Sequence, residues 1–302
     1  MSTLHCKQSI YQNCKYQIWR HFAKRPTSDY NTTKPEVFMK KTGSPYAYIA
    51  GCAVKELGIK PSNLFKGSSV PRRFRVSQFQ YVHPKELKYE LPKNRKPEIA
   101  FIGRSNVGKS SLINALGAQM NSRKGKALVS KTPGRTQQVN FFSIQSSNTY
   151  DKVKNSRKKS TSNSNVYGYF VDLPGYGHAR APERVVKEWT KVTQEFLHSR
   201  DASILKRVYI LVDARVGLQS LDVPVMGWFD ELEMPYTVVL TKIDRVKINE
   251  LMLLVNDLCM RYHAQLYGET KGFMGPIIHV TSSKTNKGMH ELLNSIESEL
   301  FK

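Results

Sequence analysis

An α/β fold with a doubly wound, mostly parallel six-stranded sheet and one antiparallel strand is predicted from three observations. Short apolar runs that read as buried strands alternate with longer segments of helical character after about residue 97. The first of these strands runs straight into Gly103-Arg-Ser-Asn-Val-Gly108-Lys109-Ser110 and then a helical stretch, the order a phosphate-cradling loop requires. The other polar motifs sit where apolar runs end, and ligands of open parallel sheets bind outside the carboxyl ends of the strands.

In chain order, strands are expected at 98–103, 137–144, 167–172, 207–213, 235–241 and 276–281. Helices are expected at 109–118, 182–199, 220–233, 247–266 and 288–300. The second strand should run antiparallel, joined to the third by a polar stretch at 145–165 that reads as an elongated hairpin tip or insert. That stretch carries Lys152, Lys154, Arg157, Lys158 and Lys159 against the single acid Asp151. It is expected beside the loops at the carboxyl ends of the strands, as a polyanion contact or as a solvated insertion.

Composition narrows the class. The 302 residues hold 47 Lys+Arg against 24 Asp+Glu, a formal charge of +23, which favours a polyanionic partner. At 40% hydrophobic residues the chain can bury a core, and no run approaches 18 apolar residues, so no membrane span is expected. Cys6, Cys14, Cys52 and Cys259 lie far apart, which argues against a disulfide scaffold or a cysteine metal site. Residues 1–96 hold 19 basic and 5 acidic residues, +14, and 97–302 hold 28 and 19, +9.

The chain divides into a segment at 1–28, a basic extension at 29–96 and the nucleotide-binding domain at 97–302. No acid precedes Asp29, and Ile10, Cys14, Ile18 and Phe22 recur every four residues. That start reads as a mitochondrial import segment, with a solvated basic tail as the plain alternative. Within the extension, Arg72, Arg73 and Arg75 around Phe74 form a basic-aromatic cluster suited to gripping RNA phosphates and stacking on a base. A linker or an arm packed on the domain would have the same composition.

Each site motif has a chemical reason. In the loop Gly103, Arg104, Ser105, Asn106, Val107, Gly108, backbone N–H groups turn toward phosphate oxygens, and the helix N-terminus adds a dipole. Lys109 is placed for the β- and γ-phosphates and the Ser110 hydroxyl for Mg2+. In Asp172-Leu173-Pro174-Gly175, the carboxylate suits a metal-bound water and the Gly175 N–H the γ-phosphate. In Thr241-Lys242-Ile243-Asp244, the terminal carboxylate can accept from two guanine donors that adenine does not present together, while the Lys242 stem braces the phosphate loop. Thr281, Ser282 and Ser283 form a small polar loop suited to backing the base with N–H groups. The ligand is therefore GTP or GDP. In Ser130-Lys-Thr132-Pro-Gly134-Arg135-Thr136-Gln137-Gln138, a threonine hydroxyl suits the metal, and residue chemistry alone does not choose between Thr132 and Thr136.

GRSNVGKSS, SKTPGRTQ, DLPGYG, TKID and the TSSK loop, in this order, resemble the EngB (YihA/YsxC) family of TrmE-Era-EngA-EngB-Septin-like GTPases and its organellar members, across about residues 74–302. The resemblance implies a Ras-like P-loop GTPase fold that assists assembly of the large ribosomal subunit, rRNA and ribosomal proteins included. It implies a mitochondrial member, in the matrix and monomeric off the ribosome. It matches the metal-binding threonine to Thr136, with Gly134 to Gln138 lining the nucleotide. It also aligns Asn106 with an asparagine that helps hold K+ in related potassium-stimulated GTPases, which with Lys109 and Thr136 makes up the catalytic set. Tyr176 stands where Ras-like proteins carry a water-orienting Gln, so unassisted GTP hydrolysis is expected to be slow, with the tyrosine either an active group or packing. His178 is left outside the catalytic set. A binding module shaped by nucleotide is the alternative function; a metabolic nucleotide kinase lacks an acceptor site and is disfavoured by Asp244 and Thr136.

Overall fold

Every residue of Glu98–Gly103 is buried, so this strand must lie mid-sheet with both faces covered. The computed structural model describes residues 48–50, 69–83, 91–120, 138–146, 166–176, 183–266 and 274–301. Its elements are β1 (Tyr48–Ala50), α1 (Arg72–Arg75), β2 (Ser77–Val82), β3 (Glu98–Gly103), α2 (Lys109–Ala118), β4 (Asn140–Ser146) and β5 (Val166–Asp172). They continue with α3 (Glu183–His198), β6 (Leu205–Asp213), α4 (Asp222–Glu231), β7 (Tyr236–Thr241), α5 (Ile248–Leu266), β8 (Met274–Val280) and α6 (Met289–Leu300).

The sheet order is β1-β8-β7-β6-β3-β5-β4-β2. β4 is antiparallel to both of its neighbours, β5 and β2, and the other pairings are parallel, so β4 is the one reversed strand. Alternate residues of β3 feed two cores on opposite faces. Ala100 and Ile102 join Val171, Val208 and Ile210 on one face, and Ile99 and Phe101 join Leu112, Phe142 and Phe170 on the other. The six expected strands and five expected helices are all present, with ends shifted by up to three residues.

Three expectations need correction. The sheet has eight strands, because β1 and β2 join it at opposite edges, and both come from the segment assigned to the basic extension at 29–96. The folded body accordingly begins ahead of residue 97; the compact unit runs from Tyr46 to Lys302. The physical cause is visible in β2, whose burial alternates from Ser77 to Gln80. Phe79 stacks on Phe142 at 5.3 Å between ring centroids and lies against Gly117 of α2, where a side chain would collide with its ring. Without β2, this apolar flank of β4 would face water.

The second correction concerns Phe74. It is fully buried and cannot stack on a base, although Arg72, Arg73 and Arg75 around it are exposed. Arg73 instead lies over the Phe301 ring, 4.4 Å from its centroid.

The third concerns the basic insert. β4 starts at Asn140 opposite Asp172 and ends at Ser146 opposite Ser77, so Gln145 and Ser146 belong to the strand. Residues 147–165 lie outside the described residues, but the chain leaves for them about 20 Å from the Asp172 end, at the far end of the sheet. It does not leave beside the nucleotide-sensing loops. Segment 1–28 also lies outside the described residues.

At that far end Glu98 accepts from Arg200 Nε at 3.0 Å and Nη2 at 2.9 Å, with both side chains buried. Burial pushes the Glu98 carboxyl up to about 7, against the pull of Arg200.

Candidate functional site

Four strands, β3, β5, β6 and β7, deliver the motifs to one end of the sheet. The phosphate loop is built by backbone conformation. Asn106 (φ 64°) and Gly108 (φ 106°) are both left-handed, and this turns the chain tightly into α2. The asparagine suits such a φ for backbone reasons alone. Gly175 packs directly on this loop; a Cβ there would sit 3.1 Å from the Gly103 carbonyl oxygen and 3.6 Å from the Ser105 nitrogen. A side chain here would push the two backbones apart by a few tenths of an ångström.

The lysine of the loop is buried. Lys109 Nζ forms an ion pair with Asp172 Oδ1, so the cation expected at the phosphates and the carboxylate expected on the metal side meet directly. Ser110, the next residue, is half-buried at the start of α2. Leu173 is wholly within the core and its N–H donates to the Phe101 carbonyl at 3.0 Å, and Pro174 is buried, so the motif offers Asp172 and the backbone of Gly175.

Base-side residues brace this loop. Thr241 Oγ1 donates to the Val107 carbonyl at 2.7 Å. Lys242, left-handed at φ 59°, lays its stem against Gly108 and donates from Nζ to the Asn106 carbonyl. The same ammonium donates to Asp213 Oδ2 at 2.8 Å. Ile243 packs at the edge of the core, and Asp244 Oδ1 accepts from Ser282 Oγ at 2.6 Å, which orients the carboxylate. The N–H groups of Thr281 and Ser282 donate to the carbonyls of Leu240 (2.7 Å) and Lys287 (3.0 Å). These two N–H groups are thus engaged within the fold, which leaves the expectation of an N–H behind the base with Ser283 of the three.

Gly134, Arg135, Thr136 and Gln137 lie outside the described residues, as do Thr132 and His178. Gln138 is exposed just ahead of β4. Among the described residues no group of three or more His, Cys, Asp or Glu could hold a metal ion, and no helix is long and apolar enough to cross a membrane.

Residues 98–242, from β3 through the Lys242 motif, match the family model described as 50S ribosome-binding GTPase. A probable GTP-binding protein EngB of Mesorhizobium japonicum is 39% identical over 206 residues, covering 68% of this chain and 86% of that protein. Another, from Rhodopseudomonas palustris, is 39% identical over 223 residues, 73% of this chain and 88% of that one. The chain belongs to the EngB family of GTPases. A solved crystal structure of a probable GTP-binding protein engB overlaps with a TM-score of 0.45 at 20% identity, over 67% of this chain and 98% of that one. As an EngB protein the chain binds guanine nucleotide and hydrolyses GTP.

Two functional side chains of this EngB site escaped sequence reasoning. Asp213, at the end of β6, receives Lys242 and a forked contact from Arg215 at 2.7–3.2 Å. Partial burial works upward on its carboxyl, but the hydrogen bonds from Arg215 and Lys242 hold it down at about 2. The available signal was position: like Asp172, it closes an apolar strand. The second is Asp222, which takes the Tyr176 hydroxyl at 2.8 Å and lies outside every motif read in the sequence.

Proposed function

We propose that this chain is a mitochondrial EngB GTPase that binds the large ribosomal subunit, contacting rRNA and ribosomal proteins, and assists its assembly or mitochondrial translation. The observation that carries the ribosomal part is the match of residues 98–242 to a family described as 50S ribosome-binding GTPases. The acid-free, periodic start of the chain supports the mitochondrial part. Three exposed arginines on α1 add a phosphate-seeking surface, at the end of the sheet from which the chain also leaves for 147–165.

The residues present fit nucleotide and magnesium. Left-handed Asn106 and Gly108 shape an anion cradle, and Gly175 leaves room that a Cβ would fill. The buried Lys109–Asp172 pair brings opposite charges to the place where phosphates and a cation would meet. Ser110 and Thr136 would hold Mg2+ with phosphate oxygens, and the ion when bound neutralises charge developing on the β–γ bridge. Lys109 would bind the β- and γ-phosphates, and the Asp172 carboxylate would accept from a water on the Mg2+ side. Asp244, set by Ser282, selects guanine. The buried Tyr176 cannot orient attacking water as a glutamine would, so unassisted turnover is slow. Large subunits or K+ held near Asn106 would stimulate it.

Sedimentation of mitochondrial extract with GTP, GDP or a non-hydrolysable analogue tests the reading. Nucleotide-dependent migration with large subunits is expected, and free-pool migration in all three overturns it. Turnover in Na+ and K+, with and without large subunits, tests stimulation; equal rates in all four conditions remove both stimulators. The burial of Tyr176 favours a second reading, in which nucleotide mainly shapes a binding surface. Full rescue of growth by a Thr136 variant that binds GTP without cycling would select it.

A further inference from the structure

Tyr176 is held at both of its ends. Its N–H donates to the Gly103 carbonyl at 3.2 Å, and its own carbonyl accepts the Ser105 N–H at 2.8 Å, a parallel bridge across Arg104. Its ring is buried in the core, and the hydroxyl donates to Asp222 Oδ1 at 2.8 Å. Asp222, buried at the first position of α4, has its other oxygen occupied by the Gln219 N–H at 2.7 Å. The Arg104 guanidinium lies within electrostatic reach of both side chains. One residue thus joins the phosphate loop, the Asp172–Gly175 turn and helix α4.

The residue just before this anchor is Gly175, whose backbone rests on Gly103 and Ser105. A peptide N–H can meet a phosphate oxygen without reorganisation only if its orientation is fixed beforehand. The main-chain bridge sets the position of Tyr176, and the bond to Asp222 removes the remaining freedom to swing about that bridge. A buried hydroxyl bonded to a carboxylate is the stronger kind of hydrogen bond, so this restraint is substantial.

We propose that the Tyr176–Asp222 pair is a positioning element that holds the Gly175 N–H toward a third phosphate, and so sets the preference of the site for GTP over GDP. The inference rests on the site being a guanine-nucleotide site. It gives Tyr176 a task distinct from orienting water: the hydroxyl acts through Gly175 and touches neither nucleotide nor nucleophile. Because the contact would exist in the ground state and in the transition state alike, its loss should raise KM and leave kcat little changed.

The test compares the full chain with Tyr176→Phe, Asp222→Ala and the double variant, each titrated with GDP and with a non-hydrolysable GTP analogue in the presence of Mg2+. Tyr176→Phe keeps the ring in the core, so the protein should remain folded. The ratio of analogue to GDP affinity is expected to fall about tenfold in each single variant. The double variant should fall no further, since both changes break one bond. GDP affinity should stay within about twofold, and KM for GTP should rise at near-constant kcat. Equal losses for both nucleotides, an unchanged ratio, additive losses, or a fall in kcat at constant KM would each overturn the proposal. Failure of every form, wild type included, to bind GDP would instead remove the nucleotide-site reading beneath it.

Discussion

Where β3, β5, β6 and β7 finish, charged side chains bridge strand ends to the start of α2, the phosphate loop and the turn after β7. Lys109 meets Asp172, and Lys242 meets Asp213 and the Asn106 carbonyl. Where the same strands begin, charges bridge strands to the ends of helices: Glu98 of β3 to Arg200 just past α3, and Arg207 of β6 to Glu299 near the end of α6, at 3.1 Å. Pairs at the first end lie among the nucleotide motifs and can exchange a partner for a phosphate or a metal-bound water. Pairs at the second end tie strands to helices and act as struts. Charge therefore serves binding at one end and architecture at the other, and the two ends should fail differently when broken.

The largest effect is expected at the nucleotide end. Lys109→Ala should weaken GTP binding about 100-fold, because a charge-assisted contact to phosphate is lost. Titration of the folded protein with a fluorescent nucleotide reads this loss; the variant also leaves the buried Asp172 carboxylate without its partner, so stability falls as well and affinity is what separates the ends. Unchanged affinity here would erase the distinction between the ends.

Breaking the strut should cost stability alone. Arg200→Ala leaves the Glu98 carboxylate buried alone, which costs about 3–5 kcal/mol in urea denaturation while nucleotide affinity of the folded fraction holds. This loss should depend on pH. Burial first, with Arg200 opposing, sets the folded Glu98 at about 7, above its ordinary value of 4.5. Stability from protonated Glu98 is thus fully present below about 4.5 and is lost as pH rises through about 7. Removing Arg200 lifts Glu98 further, so the variant should be hurt less at pH 6 than at pH 8.5.

Asp244→Asn sharpens the comparison within the binding end. It should lower preference for GTP by about 100-fold relative to xanthosine triphosphate, whose second ring carbonyl an amide N–H can satisfy, with stability nearly unchanged. Competition binding measures it. The smallest effect belongs to Arg72→Gln with Arg73→Gln. Nucleotide binding should be untouched, and the salt dependence of RNA affinity should become shallower by about two in slope. An unchanged slope would leave those arginines as solvated surface.

The motifs were legible because each is local. A glycine-spaced loop between a strand and a helix, or an aspartate closing an apolar run, is complete within a few residues, so Lys109, Ser110, Asp172 and Asp244 could be placed without any knowledge of the sheet. Strand β2 was not legible in the same way. Its alternation from Ser77 to Gln80 is short and lies in a Pro-, Lys- and Ser-rich stretch, and its reason for being a strand is the exposed edge of β4. Phe74 looked available for stacking for the same reason, since only packing beneath α6 and Phe301 shows it buried.

The sequence by itself determined the alternation of strands and helices, the phosphate loop and the identity of the nucleotide, because periodicity and short motifs act over a few residues. The tertiary structure decided what required distant residues to meet. It added the two edge strands, moved the departure point of the basic insert to the far end of the sheet, and fixed Tyr176 to Asp222, 46 positions away in the chain. Burial and pairing belong to the assembled sheet, and no local pattern encodes which carboxylate a tyrosine will reach.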